Sequence, residues 1–381
     1  MVNEAVFAGE KIRNSFSKLH SWLVLNILVS VVDTKEELSK FLTRLQDAAW
    51  VAVDTEADSL HAYPEKLCLI QVSTAFEDRL VDPLASLDLL PFLEALSEHE
   101  LIMHGADYDL RLLRKHHAFV PGSIFDTMLA ARLLGIRQFS LGDLVEKYLG
   151  VKLEKGPQKA NWALRPLSSK MENYARHDTH YLKPLADHLR SDLSQKGRLA
   201  WHKESCARLI SECTQERPPN DSGWRIKGSH RLSGRALAIL RELWHWRETE
   251  AIRANRPPFF ILSHDALVAI SSTTAGGHSY RHLMPRHFSE RRSLGLIAAV
   301  ERGSAVSADD QPRQLRVQSR HPTEGERRNF VVLEKRRNLS AADLEIDPTL
   351  IASRATLSDL AHDWDKHSTD LMAWQRQLLV P

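Results

Sequence analysis

Cysteine is scarce. Cys68, Cys206 and Cys213 are the only three in 381 residues. They cannot all pair and no two form a C-x-x-C, so neither a disulfide scaffold nor a zinc cluster is encoded, and a reducing compartment is expected. A long apolar run is also missing. The longest stretch, Trp22 to Val32, is eleven residues interrupted by Asn26 and Ser30, well short of the ~20 needed to cross a bilayer. It carries no small-residue cleavage signal, so export is not expected and the location reads as cytoplasmic. Net charge is nearly absent as well. A formal +2 says nothing by itself about a polyanionic partner.

The charge that is present is unevenly placed. The segment 225–337 holds 21 of the 51 Lys and Arg but only 11 of the 49 Asp and Glu, and the remainder of the chain holds 30 against 38. Basic blocks such as Arg291-Arg292 and Lys335-Arg336-Arg337 suit either solvated helix faces or a phosphate-bearing partner. With 43% hydrophobic residues, the chain is long enough for two or three globular domains.

One stretch organises the rest. Val51-Ala52-Val53-Asp54-Thr55-Glu56 is an apolar, β-branched run that ends in two acids one residue apart. Side chains alternate across a strand, so Asp54 and Glu56 share a face, where two carboxylates repel unless a cation lies between them. A lone D-x-E is equally the solvated end of a strand. More acids must converge before it reads as a metal site.

Residues 1–26 show no firm period and read as an N-terminal extension. Ile27 to Val32 suits a short strand, followed by Asp33 or Thr34 as cap of a helix through Leu38, Phe41, Leu42 and Leu45. Lys66 to Thr74 and Arg79 to Val81 are the next strands, and a link this short implies antiparallel pairing. Then helix and strand alternate: helix 89–96, strand 101–103, helix 108–116, strand 124–125, a pattern that implies parallel strands covered by helices. Helices over 127–134, 141–149 (closed by Gly150) and 168–193 follow. Cys206 and Cys213, seven apart, fit one helix face. The polar, turn-rich stretch Glu216 to Gly223 marks a linker over 216–227.

Two further acids lie where a sheet could bring them to Asp54 and Glu56. Asp109 opens an amphipathic helix just past a strand's C-terminal edge, where ligands of open α/β sheets bind. Asp178 shares a helix face with Tyr174 and Tyr181, or else it is a surface acid pairing with Arg176 or Lys183.

Asp54-Thr55-Glu56, His104-Gly105-Ala106-Asp107-Tyr108-Asp109-Leu110 and Tyr174-Ala175-Arg176-His177-Asp178 together resemble the three exonuclease motifs of the DEDD superfamily, and Tyr174 four residues before Asp178 selects its tyrosine branch. A histidine-branch enzyme would carry His five residues before Asp178, where Asn173 stands. Lys66-Leu67-Cys68-Leu69-Ile70-Gln71, Phe125-Asp126-Thr127, and Ser140-Leu141 leading to Tyr148-Leu149-Gly150-Val151 are similar to the ribonuclease D family. Residues 228–303 resemble its helicase and RNase D C-terminal (HRDC) domain. Residues 325–381 resemble a divergent second copy, with Thr356 to Asp359 as a capping box.

The resemblance implies an α/β chain, with an RNase H-like mixed-sheet exonuclease domain over 27–215 followed by one or two small all-α HRDC-type domains. It implies a 3′–5′ exoribonuclease that releases 5′-mononucleotides, with tRNA precursors and other structured RNAs bearing 3′ tails as partners, and two divalent ions, Mg²⁺ or Mn²⁺, as cofactors. Asp54, Glu56, Asp109 and Asp178 would be the metal ligands: Asp54 bridging both ions, Glu56 and Asp178 on the ion that carries the attacking water, and Asp109 toward the second. Tyr174 would orient the nucleophile. With an ordinary pKa near 10, it suits positioning better than proton abstraction at pH 7. His177 departs from the family pattern, and its place about 100° around the helix from Asp178 is open to a substrate-phosphate contact or to a solvated or capping role. A DNA-directed exonuclease of the same fold and a nucleic-acid-binding adaptor with a silent nuclease fold are the alternatives. The oligomeric state is left open, with a monomer favoured.

Overall fold

A computed structural model describes residues 31–215, 222–314 and 321–380. The expected N-terminal extension, the first residues of the strand at 27–32 and the first part of the linker lie outside the described residues.

Six strands form one mixed sheet: β1 (Val31–Val32), β2 (Val51–Ala57), β3 (Leu67–Thr74), β4 (Asp78–Val81), β5 (Glu100–Met103) and β6 (Ser123–Asp126), in the order β1-β4-β3-β2-β5-β6. The short link between β3 and β4 makes them an antiparallel pair, and β2 runs antiparallel to β3. The helical crossovers make β2–β5 and β5–β6 parallel, as the alternation of elements requires. All eight residues of β3 are buried. One face of the sheet packs on α1 (Lys35–Gln46), α2 (Leu90–Ser97) and α3 (Asp107–His117) through Leu38, Phe41, Phe92 and Leu113. On the other face, Leu69 and Leu80 meet Trp162 and Ala175. The acid-bearing end of β2 therefore lies between a covered strand and helices arriving from both sides.

The helix expected over 168–193 is two. α6 (Ser169–His180) ends at Tyr181 and α7 (Leu182–Gln195) begins after it. Pro184 is the reason: in a continuous helix its ring would meet the carbonyl four residues back, at His180. Between these and β6 lie α4 (Thr127–Leu133) and α5 (Leu141–Leu149), the latter capped by Gly150 at φ +70. After α7, α8 (Leu199–Thr214) buries Cys206 and Cys213 on one side, as their spacing suggests.

Two helical units follow. The first comprises α9 (Gly234–Ala254), the single turn α10 (Pro258–Ile261), α11 (His264–Ala275) and α12 (Glu290–Ala305). It has its own core of Leu237, Leu240, Leu243, Leu267 and Leu296. Its α9 end touches the β2–β3 loop, where the Tyr63 N–H donates to Asn255 Oδ1 at 3.4 Å and the Tyr63 hydroxyl donates to Glu248. The second comprises α13 (Glu324–Asp343), α14 (Pro348–Ile351), α15 (Arg354–His362), α16 (Trp364–His367) and α17 (Ala373–Leu379). Its capping box is Thr323 with Glu326, not Thr356 with Asp359. α15 starts a turn earlier than that expectation, with Ser353 as cap accepting from the Thr356 N–H. Because Ser353 is itself a good cap residue, Thr356 falls inside the first turn.

This second unit is fused to the sheet domain. Leu333, Ile346, Ile351 and Trp374 share one apolar cluster with Leu133, Leu144, Leu185 and Leu189. Trp201 and Trp374 stack at 4.9 Å, and Arg198 donates to the carbonyls of Leu133 (2.7 Å) and Leu344 (2.8 Å). Among the described residues, no helix is long and apolar enough to cross a membrane.

Candidate active site

Asp54 and Glu56 project from the same face of β2. Asp178 reaches them from α6, whose cap is Ser168. Oxygens of Asp54, Glu56 and Asp178 lie within 4.8 Å of one another. Asp178 does not have the surface pairing that the sequence left open: Lys183 binds Asp187 and Arg176 donates to Asn173. Asp109 is close enough to act on Asp54 and Asp178 electrostatically, but its Oδ1 is held by the N–H (3.1 Å) and hydroxyl (2.5 Å) of Thr55. Thr55 thus ties the first exonuclease motif to the second.

The electrostatics are those of acids crowded without compensation. Burial first, then the charges of Asp109, Asp178 and Glu56, hold the Asp54 carboxyl well above its ordinary range. Glu56 is pushed up to about 9 by burial and by Asp178 and Asp109. Asp178 rises to about 7 through burial, against the hydrogen bond from Tyr174. Asp109 rises to about 6 through burial, against the Thr55 hydrogen bonds. A hard divalent cation ligated by carboxylate oxygens answers this arrangement. Beside it, Gln71 faces Asp54 across β2–β3, fully buried, and neither carboxamide atom has a partner among the described residues. The donor set is all oxygen, and the residues present fit a hard metal ion.

Tyr174, one turn before Asp178, donates to it and meets Gln158. Burial, then the charge of Asp178, pushes the phenol above its ordinary value, so the hydroxyl keeps its proton for the hydrogen bond to Asp178. His177 lines the same cavity and lies 5.9 Å from the Tyr181 ring; burial, then Arg176, lowers its pKa. It belongs to the cavity wall, not to a helix cap.

That cavity is about 970 Å³, walled by Asp54, His104, Tyr174, His177 and Asp178 and by the irregular loop over 152–160. Exposed Lys152, Lys155 and Lys159 on this loop have no carboxylate partner among the described residues. A smaller cleft of about 190 Å³ lies beside Glu56, with the exposed apolar surfaces of Leu60 and Tyr108 in its wall. Sequence reasoning gave the lysine loop no role. It also gave none to Asp126, which is fully buried and accepts from the N–H groups of Gly105, Ala106, Met128 and Leu129, joining the starts of α3 and α4. The legible signal for Asp126 was an Asp directly before a helical run.

A sheet of this order with acids in the C-terminal half of the interior strand β2, met by an acid and a tyrosine one helical turn apart, defines a 3′–5′ exonuclease domain. Residues 29–194 match the family model for a 3′–5′ exonuclease, and 236–274 match the HRDC domain. The chain is 32% identical to ribonuclease D of Zymomonas mobilis over 286 residues, 73% of each chain. It is 30% identical to ribonuclease D of Jannaschia sp., covering 87% of this chain and 88% of that one. In fold it resembles the crystal structure of Escherichia coli RNase D, with a TM-score of 0.71 over 92% of this chain and 98% of the other, at 23% identity. The chain belongs to the ribonuclease D family of 3′–5′ exoribonucleases.

Proposed function

We propose that Asp54, Glu56, Asp109, Tyr174 and Asp178 form the catalytic centre, which removes 5′-mononucleotides from RNA 3′ ends with two divalent ions, Mg²⁺ or Mn²⁺. One observation carries the reading: carboxylate oxygens from β2 and α6 meet within 4.8 Å, with each acid destabilised in its charged form by its neighbours. When bound, the ions supply an activated water and neutralise charge at the leaving oxygen. Asp54, Glu56 and Asp178 would hold them, with Asp109, positioned by Thr55, toward the second ion, and Tyr174 would orient the attacking water. Leu60 and Tyr108 offer apolar surface to a terminal base, and the three loop lysines face the phosphates.

The substrates we assign are tRNA precursors and other structured RNAs with short single-stranded 3′ tails. Family membership supports this. So does the E. coli relative, whose structure is that of an exoribonuclease involved in structured RNA processing. The exonuclease domain spans 27–215 and a first HRDC domain 228–303. The unit over 325–381 is a divergent second one, supported by its own cap, break and terminal helix. Cys68, Cys206 and Cys213 are all free, buried thiols, in keeping with the reducing cytoplasm we assign, and a monomer is the state we propose.

Matched RNA and DNA oligonucleotides, incubated with Mg²⁺, Mn²⁺ or EDTA, test the reading. Stepwise release of 5′-mononucleotides from RNA, abolished by EDTA, is expected. Faster release from DNA would favour the DNA-directed alternative, and binding without release would favour the silent adaptor.

A further inference from the structure

His104 follows β5 and lines the large cavity with Asp54, Tyr174 and Asp178. Its tautomer is fixed by a hydrogen-bond relay. The Thr127 hydroxyl donates to the Met103 carbonyl at 3.1 Å. Having one proton, that hydroxyl can only accept from His104 Nδ1, 2.8 Å away. Burial, against the charge of Asp126, pushes the imidazole below its ordinary value, which favours the neutral ring. The proton is therefore on Nδ1, and Nε2 carries a lone pair. Nε2 has no partner among the described residues.

An acceptor in this position cannot bind a phosphate oxygen, which also only accepts. It calls for a donor on the substrate. If an RNA 3′ end occupies this cavity, the ribose hydroxyls are the donors nearest the acid cluster, and the 2′-hydroxyl is the one DNA lacks. We infer that His104 Nε2 accepts a hydrogen bond from the 2′-hydroxyl of a nucleotide at the 3′ end, making His104 a specificity residue for RNA over DNA. The inference rests on the reading above that the 3′ end enters this cavity. Thr127 is the positioning residue that holds the tautomer.

The test uses one oligonucleotide carrying ribose, 2′-deoxy or 2′-fluoro sugar at each of its last two positions. Binding in Ca²⁺ and kcat/KM in Mg²⁺ are measured for the full-length protein and for His104→Ala and His104→Gln. The wild type should prefer ribose by about fivefold, the worth of one neutral hydrogen bond. The 2′-fluoro sugar should behave as deoxy, because fluorine cannot donate. His104→Ala should bring the ratio toward one by losing on ribose alone, while His104→Gln, whose carbonyl can accept, should keep part of it. Equal losses on all sugars, or an unchanged ratio in His104→Ala, would overturn the inference and leave the exonuclease reading standing. A wild type that binds ribose preferentially but releases nothing would overturn that reading and leave His104 as a ribose contact. Should His104→Ala not fold, the His104→Gln and 2′-fluoro comparisons decide.

Discussion

Gly156 lies so close against the Tyr174 ring that a Cβ built on it would fall 1.5 Å from Cδ2 and 2.2 Å from Cε2. No side chain fits there, so the loop over 152–160 and the tyrosine of the acid cluster pack as one surface. Gly156→Ala must displace the ring or the loop, and with it the hydroxyl we propose orients the nucleophile. A misplacement of about 1 Å can cost on the order of 10²-fold. We expect kcat to fall by that order with little change in melting temperature. Gly142→Ala is the control, since a Cβ there meets nothing within 4 Å although Gly142 lines the same cavity. Equal kcat for the two variants would separate the loop from catalysis.

Replacing Asp54 or Asp178 by Asn should remove nearly all hydrolysis, because each substitution removes charge needed to hold a divalent cation. Tyr174→Phe should cost less, at most about 10²-fold, since positioning and metal activation are separate contributions. An Asp54→Asn variant that degrades RNA at the wild-type rate would sink the four-acid assignment. A Tyr174→Phe variant as fast as wild type would remove the tyrosine from it.

The acid cluster also makes the metal-free protein pH-sensitive. Asp178 near 7 and Glu56 near 9 lie above the ~4 of an unfolded carboxyl, so the folded state binds more protons between those values. Their contribution to stability is full below pH ~4 and is lost as pH rises through 7 and 9. In EDTA the melting temperature should fall from pH 6 to pH 8.5. Mg²⁺ should raise it more at pH 8.5 than at pH 6, because the ion favours the charged carboxylates. Asp54→Asn should flatten the EDTA profile. A profile in EDTA with the same slope for the variant and wild type would show that the cluster does not control it.

The site was legible because each acid announces its element. Asp54 and Glu56 stand in a period-two run, Asp109 opens an amphipathic helix, and Tyr174 and Asp178 are one turn apart. Their meeting was not readable from spacing; it depends on β2 pairing with β3 and α6 crossing the same face. Pro184 was visible in the sequence, and its effect on the helix over 168–193 is ordinary backbone chemistry. The lysine loop has no period to read. The docking of α13–α17 was hidden for another reason: the apolar stripe through Leu333, Ile346 and Trp374 reads identically whether it closes a free-standing domain or covers the exonuclease core.

That docking changes how RNA binding by the C-terminal half is tested. A chain ending near Pro218 would take Trp374 from Trp201 and the Leu344 carbonyl from Arg198, so weaker binding would report a less stable fold as well as a missing RNA surface. The first helical unit allows a cleaner experiment. Just past α9, in the single turn α10, Phe259 and Phe260 are 52% and 53% exposed with ring centroids 4.4 Å apart. Exposed Arg253 and Arg256 beside them have no carboxylate partner among the described residues. Asn255, four residues before Phe259, touches the loop that follows Glu56, so a strand leaving the acid cluster has this surface in reach. Stacking rings with unpaired cations suit single-stranded RNA. Arg253→Gln with Arg256→Gln should weaken binding of a long oligonucleotide and make its salt dependence shallower by about 0.7 for each phosphate that is no longer neutralised. Phe259→Ala with Phe260→Ala should weaken binding at every salt concentration without changing the slope. Neither pair should alter trimming of a substrate too short to reach α9. Salt slopes identical for wild type and the arginine variant would assign this surface to a protein partner instead.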